Sequence, residues 1–209
     1  MKPQSDIAIF LSARSGSKRL PNKHFLKINT ELKFIDLCIL RLKRAKLVNK
    51  IFLCTTKKRE DDKFKKICKT HDIKLFRGST NDVAKRMIDC AKKNSIKTII
   101  RITADCPIID PQLIDKCIRL HIKKKSHYTS NILTLSFPDG LDVELVNLDI
   151  LIKSQKLSKT QPNKEHVTYF IRRSRLFKKN NLMSSINYSN RRWTLDHLKD
   201  YEFLKKVTK

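Results

Sequence analysis

Along the first 125 residues, short apolar runs alternate with amphipathic stretches. Residues 7–13, Ile-Ala-Ile-Phe-Leu-Ser-Ala, form a continuous apolar run, which predicts a strand buried on both faces. Ile51–Thr55, Ile73–Phe76 and Thr98–Ile102 read as three further strands. Between them lie helical patterns at about 34–47, with Ile35, Cys38, Ile39 and Leu42 on one side, at 60–70, and at 81–93, where Val83, Ala84, Met87, Ile88 and Ala91 fall together. Asp110-Pro111 opens another helix, whose apolar face is Leu113, Ile114, Cys117, Ile118 and Ile122. A capping carboxylate followed by proline at the first turn is a strong helix start. This alternation predicts βαβ units: an α/β fold with a mostly parallel sheet and, through right-handed crossovers, helices on both faces.

After about residue 125 the rhythm changes. His127–Asn131 and Leu141–Val146 read as strands joined through Phe137-Pro138-Asp139-Gly140. Helices are expected at about 147–157 and 164–175, short strands at 183–188 and 192–195, and a closing helix from about 197. Neither a repeat nor a linker interrupts the pattern. One domain over residues 1–209 is expected, with 125–165 as an insertion-like β segment.

Composition narrows the function classes. Hydrophobic residues make up 40% of the 209, enough for a core. No apolar run approaches the ~18 residues a membrane span needs, and no secretory signal pattern is visible, so a cytoplasmic protein is expected. The 47 Lys+Arg against 20 Asp+Glu leave a formal charge of +27. Such a charge would suit a nucleic acid. The cations, however, spread over the polar faces of the helices, as in Leu40–Lys46, and no zinc-finger spacing, RNA-recognition aromatic motif or basic heptad region accompanies them. Solvated helix surface and a small anionic substrate explain the charge without a nucleic-acid partner. The six cysteines form no C-x-x-C pair, so zinc and thioredoxin-type chemistry are poorly supported.

In open parallel sheets ligands bind outside the carboxyl ends of the strands. Four polar segments occupy that edge. The first, Ala13–Lys23, carries Gly16, Ser17 and the cations Arg14, Lys18, Arg19 and Lys23, the donors a polyphosphate needs. It has neither the Walker nor the dinucleotide glycine spacing, and a plain basic loop fits its spacing as well as a phosphate cradle. The second, Arg101–Asp110, places Asp105 at a strand end, where a hard carboxylate suits Mg²⁺ but a turn aspartate fits equally. Asp110 reads as a helix cap. The third surrounds Asp196, between a strand and a helix, where an N-cap role competes with a ligand role. The fourth, Phe76–Arg86, is a strand-to-helix turn able to read a base or ribose, although Asp82 also suits the helix N-terminus.

Six ordered blocks carry a resemblance: Ala13–Lys23, Phe76–Arg86, Arg101–Asp115, Phe137–Glu144, Lys164–Thr168 and Arg191–Phe203. Together they resemble the cytidylyltransferases of the acylneuraminate and deoxy-manno-octulosonate type, in the branch of spore-coat polysaccharide biosynthesis protein F. The resemblance implies a nucleotide-diphosphosugar-transferase-like, Rossmann-like fold. It also implies transfer of CMP from CTP to a sugar or sugar acid, with release of pyrophosphate, in surface polysaccharide or glycan biosynthesis. Carried over, Ala13, Arg14, Gly16 and Ser17 would hold the nucleotide, with Asp82 and Arg86 near the nucleoside. Arg19 and Lys23 would be catalytic, stabilising the departing pyrophosphate. Asp105 and Asp196 would bind Mg²⁺, and Asp142, Glu144, Glu165 and His166 would face the sugar. Two departures stand out: Ala104 where the family often has glycine, and Asn29–Phe34 where it has a Gly-Gly-Lys-Pro turn. The second leaves open a module that binds CTP without turnover. A nucleotidyltransferase of other base specificity and a non-catalytic, basic nucleic-acid-binding protein are the remaining alternatives. The β segment at 127–146 could pair across a homodimer.

Overall fold

A computed structural model describes residues 3, 5–17 and 19–208. Its first half holds strands β1 (Ile7–Ser12), β2 (Ile51–Thr56), β3 (Lys74–Gly78) and β4 (Thr98–Thr103). Helices α1 (Phe34–Leu42), α2 (Lys63–Thr70) and α3 (Val83–Lys93) link them in order, and α4 (Pro111–Lys124) follows β4. All four strands pair in parallel, in the order β3-β2-β1-β4. Along β1, Ile7, Ile9 and Leu11 pack with α1, α2 and α4, while Ala8 and Phe10 pack with α3 on the other side. Burial of both faces is what makes the strand a continuous apolar run. The expected start of α4 is present: the Asp110 side chain accepts from Gln112 N–H at 2.9 Å, with Pro111 in the first turn.

From β1 the chain steps outward to β2 and β3, then crosses back through α3 to β4 on the other side of β1. The carboxyl ends of β1 and β4 therefore flank the switch point of the sheet, where such folds bind ligands.

The second half adds β5 (Tyr128–Ser130), β6 (Glu144–Asn147), α5 (Leu148–Leu157), α6 (Gln161–Glu165), α7 (Tyr169–Arg173), β7 (Lys179–Asn181) and α8 (Leu198–Val207). β6 lies antiparallel between β4 and β5, and β7 pairs parallel with β5. The result is a seven-stranded, mostly parallel sheet, order β3-β2-β1-β4-β6-β5-β7, with helices on both faces. The β segment within 125–165 extends this sheet. Among the described residues, no helix is long and apolar enough to cross a membrane.

Several expected elements differ. The helix expected over 164–175 is two short helices broken at His166–Thr168, because Val167 adopts a left-handed backbone (φ 55°) and the Thr168 hydroxyl donates to Glu144. No strand forms over 183–188. There Ser184 N–H and Tyr188 N–H donate to Ser136, and Met183, Ile186 and Tyr188 face solvent. The expected strand at 192–195 is reduced to one bridge, Asp139 with Arg192. The glycine-free turn at 29–34 is closed by Asn29, whose side chain accepts from Glu31 N–H (3.0 Å) and Leu32 N–H (2.8 Å). An asparagine side chain here replaces the backbone freedom that glycines would supply.

Gly140 joins the two ends of this second half. Its φ is +108°, and a Cβ there would lie 2.5 Å from the Trp193 carbonyl carbon and 2.6 Å from Thr194 N. Neither the backbone region nor the space admits a side chain. Gly140→Ala should therefore lower unfolding free energy by about 2 kcal/mol or more, measured by denaturant titration.

Candidate active site

The loop after β1 turns sharply at Pro21-Asn22. Asn22 takes a left-handed conformation (φ 54°), which asparagine tolerates, and a 3-10 turn over Lys23–Phe25 follows. The turn sends Lys23 inward, where its side chain is 8% exposed. Its Nζ lies 3.0 Å from Asp105 Oδ2 and 2.8 Å from Asp196 Oδ1. Asp105 sits just beyond the end of β4, and Asp196 on the segment entering α8. The two acidic segments are stitched together: the Asp105 carbonyl accepts from Leu195 N–H (2.7 Å) and from the Thr194 hydroxyl (3.1 Å).

Asp196 is not the cap of α8. His197 is the N-cap, and Asp200 Oδ2 accepts from the amides of Asp196 (2.9 Å) and His197 (2.8 Å). Asp200 thus does the capping, and the Asp196 carboxylate is left to Lys23, to Arg19 Nη2 at 2.9 Å and to Arg192 Nη2 at 3.4 Å. Burial alone would raise the Asp105 carboxyl, but the Lys23 charge and a Thr103 hydrogen bond outweigh it and hold the group at about 2. His24, behind Lys23, is pushed down to about 4 by burial and by the Lys23 charge. It is therefore neutral, and its Nδ1–H donates to the Ala104 carbonyl at 3.2 Å.

The pair fits a divalent cation. Oxygens of Asp105 and Asp196 both lie within 3.0 Å of one cationic nitrogen, so they already converge on a point of positive charge. Among the described residues no cluster of three or more His, Cys, Asp or Glu is placed to hold a metal. An ion here would take two carboxylates and complete its shell with phosphate and water oxygens, the usual habit of Mg²⁺.

A cavity of about 690 Å³ opens beside the pair, lined by Arg14, Gly16, Ser17, Arg19, Lys23 and Arg86, among others. Ala13 is buried at its back, its N–H donating to the Cys54 carbonyl. Arg86 is 1% exposed, donates from Nη1 to the Ser79 carbonyl at 2.7 Å, and has a buried Nε without a partner. Gly78 makes room for it, since a Cβ there would lie 2.8 Å from Arg86 Cγ. Asp82 does not line this cavity; its Oδ1 caps α3, accepting from Lys85 N–H at 2.7 Å. Arg14 reaches Glu165 at 3.4 Å across the mouth. Lys18 lies outside the described residues.

A second cavity of about 230 Å³ lies on the other side of Asp105 and Asp196, with Asp139, Asp142, His166 and Arg172 in its wall. His166, set at the break between α6 and α7, faces both cavities. Glu144 is 1% exposed, and both its oxygens are engaged, one by Arg101 and the other by Tyr128 (2.6 Å) and Thr168. Glu144 also lines this cavity, and its carboxylate ties β6 to β4, β5 and the residue that opens α7. Of the acids in this wall, Asp142 alone lacks an ion pair among the described residues. Burial, with Glu144 and Asp139 nearby, pushes it up to about 6.

Sequence reasoning missed His24, Arg172 and Thr194. Only Arg101 had a signal as a structural anchor, a charge inside the apolar run of β4.

The cytidylyltransferase family profile matches residues 8–208. An uncharacterized protein of Methanocaldococcus jannaschii is 33% identical over 202 residues, 95% of this chain and 82% of the relative. The spore coat polysaccharide biosynthesis protein SpsF of Bacillus subtilis is 29% identical over 209 residues, 96% of this chain and 85% of its own. A solved cytidylyltransferase from Leptospira borgpetersenii superposes with a TM-score of 0.92 at 31% identity, covering 97% of this chain and 86% of that one.

The raised Asp142 gives a pH test. Its carboxyl binds a proton more tightly folded than unfolded, so its contribution to stability is full below 3.8 and is lost as pH rises through about 6. With chelator present, Asp142→Asn should abolish that loss. Between about pH 4 and pH 7 the variant should gain on the parent by on the order of 2 kcal/mol, measured by denaturation at each pH.

Proposed function

Because the chain belongs to the cytidylyltransferase family, we propose that it transfers CMP from CTP to a sugar or sugar acid, releasing pyrophosphate, for surface polysaccharide or glycan synthesis. The observation that carries this reading is the pair Asp105 and Asp196, clasped by Lys23, between a basic cavity and an acid-walled one. A triphosphate suits the first and a hydroxyl-rich acceptor the second.

In this reading Arg14 and Arg19, with the loop at Gly16 and Ser17, hold the triphosphate, and Arg86, in the cavity wall, lies at the nucleoside end. Asp142 accepts a hydrogen bond from an acceptor hydroxyl, and His166 and Glu165 close the acceptor side. An acceptor hydroxyl attacks the α-phosphorus in line; the new P–O bond forms as the bond to the β-phosphate oxygen breaks, and the hydroxyl proton leaves to solvent. Lys23 and Arg19 neutralise the charge that develops on the departing pyrophosphate. The proposed cofactor is Mg²⁺ on Asp105 and Asp196, where it would neutralise and orient phosphate oxygens. Most of the rate enhancement then comes from positioning and charge.

The test is pyrophosphate release from each of the four nucleoside triphosphates with a panel of neutral sugars and sugar acids. CTP with at least one acceptor should be the productive pair. Asp105→Asn and Asp196→Asn should each lower kcat/KM by about 100-fold or more while remaining folded. Normal metal-dependent turnover in Asp105→Asn would exclude the metal assignment.

A further inference from the structure

We propose that Asp61, a carboxylate that lines neither cavity, is a positioning residue of the nucleotide site. It fixes the backbone of residues 13–17 through the Ser15 amide. The proposal rests on the reading of that loop as the triphosphate holder.

Asp61 is 0% exposed, in the 3-10 turn Arg59–Asp61 between β2 and α2. Its Oδ1 accepts from Ser15 N–H at 2.7 Å. Its Oδ2 accepts from Thr56 N–H at 3.3 Å and from the Thr56 hydroxyl. The same turn touches the loop once more and leaves little room beside Gly16. The Ser15 hydroxyl donates to the Glu60 carbonyl at 3.1 Å, and a Cβ on Gly16 would come within 3.3 Å of Glu60 Oε1. The turn is itself braced from β3: Arg77 donates to the carbonyls of Thr56 (3.0 Å) and Lys58 (2.9 Å) and pairs with Asp62 at 2.5 Å. An unbroken series of bonds thus runs from β3 through the 56–62 turn to Ser15.

Loop shape follows from this contact. With Ser15 N–H held by Asp61, Ser17 N–H folds back onto the Ser15 carbonyl at 2.9 Å, and Gly16 sits at the apex facing the large cavity. Electrostatics favours a positional role over a binding one. A buried carboxylate beneath an anion site opposes the anion, so Asp61 adds nothing to triphosphate attraction. Its three donors nonetheless require a group that only accepts, which a carboxylate is and an amide is not. An asparagine would turn an NH₂ toward either Ser15 or Thr56.

Asp61→Asn and Thr56→Val separate positioning from plain stability. Asp61→Asn should raise KM for CTP about tenfold or more with kcat within about threefold, and should weaken binding of inorganic tripolyphosphate by a similar factor. Thr56→Val removes a donor from the same carboxylate but spares the Ser15 bond. It should lower thermal stability while leaving tripolyphosphate affinity within about twofold. If Asp61→Asn binds tripolyphosphate like the parent, or if Thr56→Val weakens binding equally, the carboxylate is structural only and the proposal fails. Should Asp61→Asn not fold, Ser15→Pro, which deletes the amide donor together with the hydroxyl bond to Glu60, is compared with Ser15→Ala, which deletes the hydroxyl bond alone: binding weakened in Ser15→Pro but not in Ser15→Ala supports the proposal, and equal binding in the two overturns it. A parent that binds tripolyphosphate but does not turn over CTP counts against the proposed function alone. A parent that binds no tripolyphosphate overturns both.

Discussion

The Lys23 ammonium between Asp105 and Asp196 is the contact on which the rest of the site depends. Two carboxylates sharing one partly buried place repel each other and lose hydration, and a cation within hydrogen-bond reach of both offsets this. The three residues come from three separate segments, so several local features must hold together. The sheet order sets β1 beside β4. Asn22 turns Lys23 inward. The Asp105 carbonyl holds the strip that carries Asp196, and Asp200 takes over the capping that would otherwise occupy Asp196. Each is an ordinary device of folding, and their common product is a point where positive charge is required.

That point divides two unlike environments. On one side Arg14, Arg19 and Arg86 line the larger cavity; on the other Asp139 and Asp142 stand in the wall of the smaller. The large formal charge of the chain is thus a poor guide to the site, where cations outnumber carboxylates around the larger cavity and carboxylates outnumber cations around the smaller. The sorting suits a reaction with a polyanionic donor and a hydroxyl nucleophile, because field and geometry are set before either arrives.

The parallel half of the sheet was legible because strands buried on both faces leave apolar runs, nearly uninterrupted in β1 and β2 and broken by a charge in β4, and because helical patterns separate them from the more exposed β3. The loop cations and the acids at 105 and 196 were legible as residue types in the right order. Asp196 could not be told from a helix cap until Asp200 was seen to cap in its place. β7, Lys-Asn-Asn, is an edge strand with no apolar signal, whereas the more apolar 183–188 segment stays irregular. The break at Val167 runs against the preference of a β-branched residue, which seldom takes a left-handed backbone, so periodicity ran straight through it. Glu144 came only with the resemblance; its ion pair could not be read from the sequence, because pairing with β4 is what places it opposite Arg101.

The distance along the chain between Lys23 and Asp196 has a consequence for synthesis. These residues are 173 positions apart and meet within 2.8 Å. During translation the β1–β4 half emerges before the rest of the sheet, but the clasp cannot close until Asp196 has left the ribosome. Until then Lys23 and Asp105 face each other without the third partner, and the two cavities have no common wall. The clasp is therefore completed only after residue 196 has emerged.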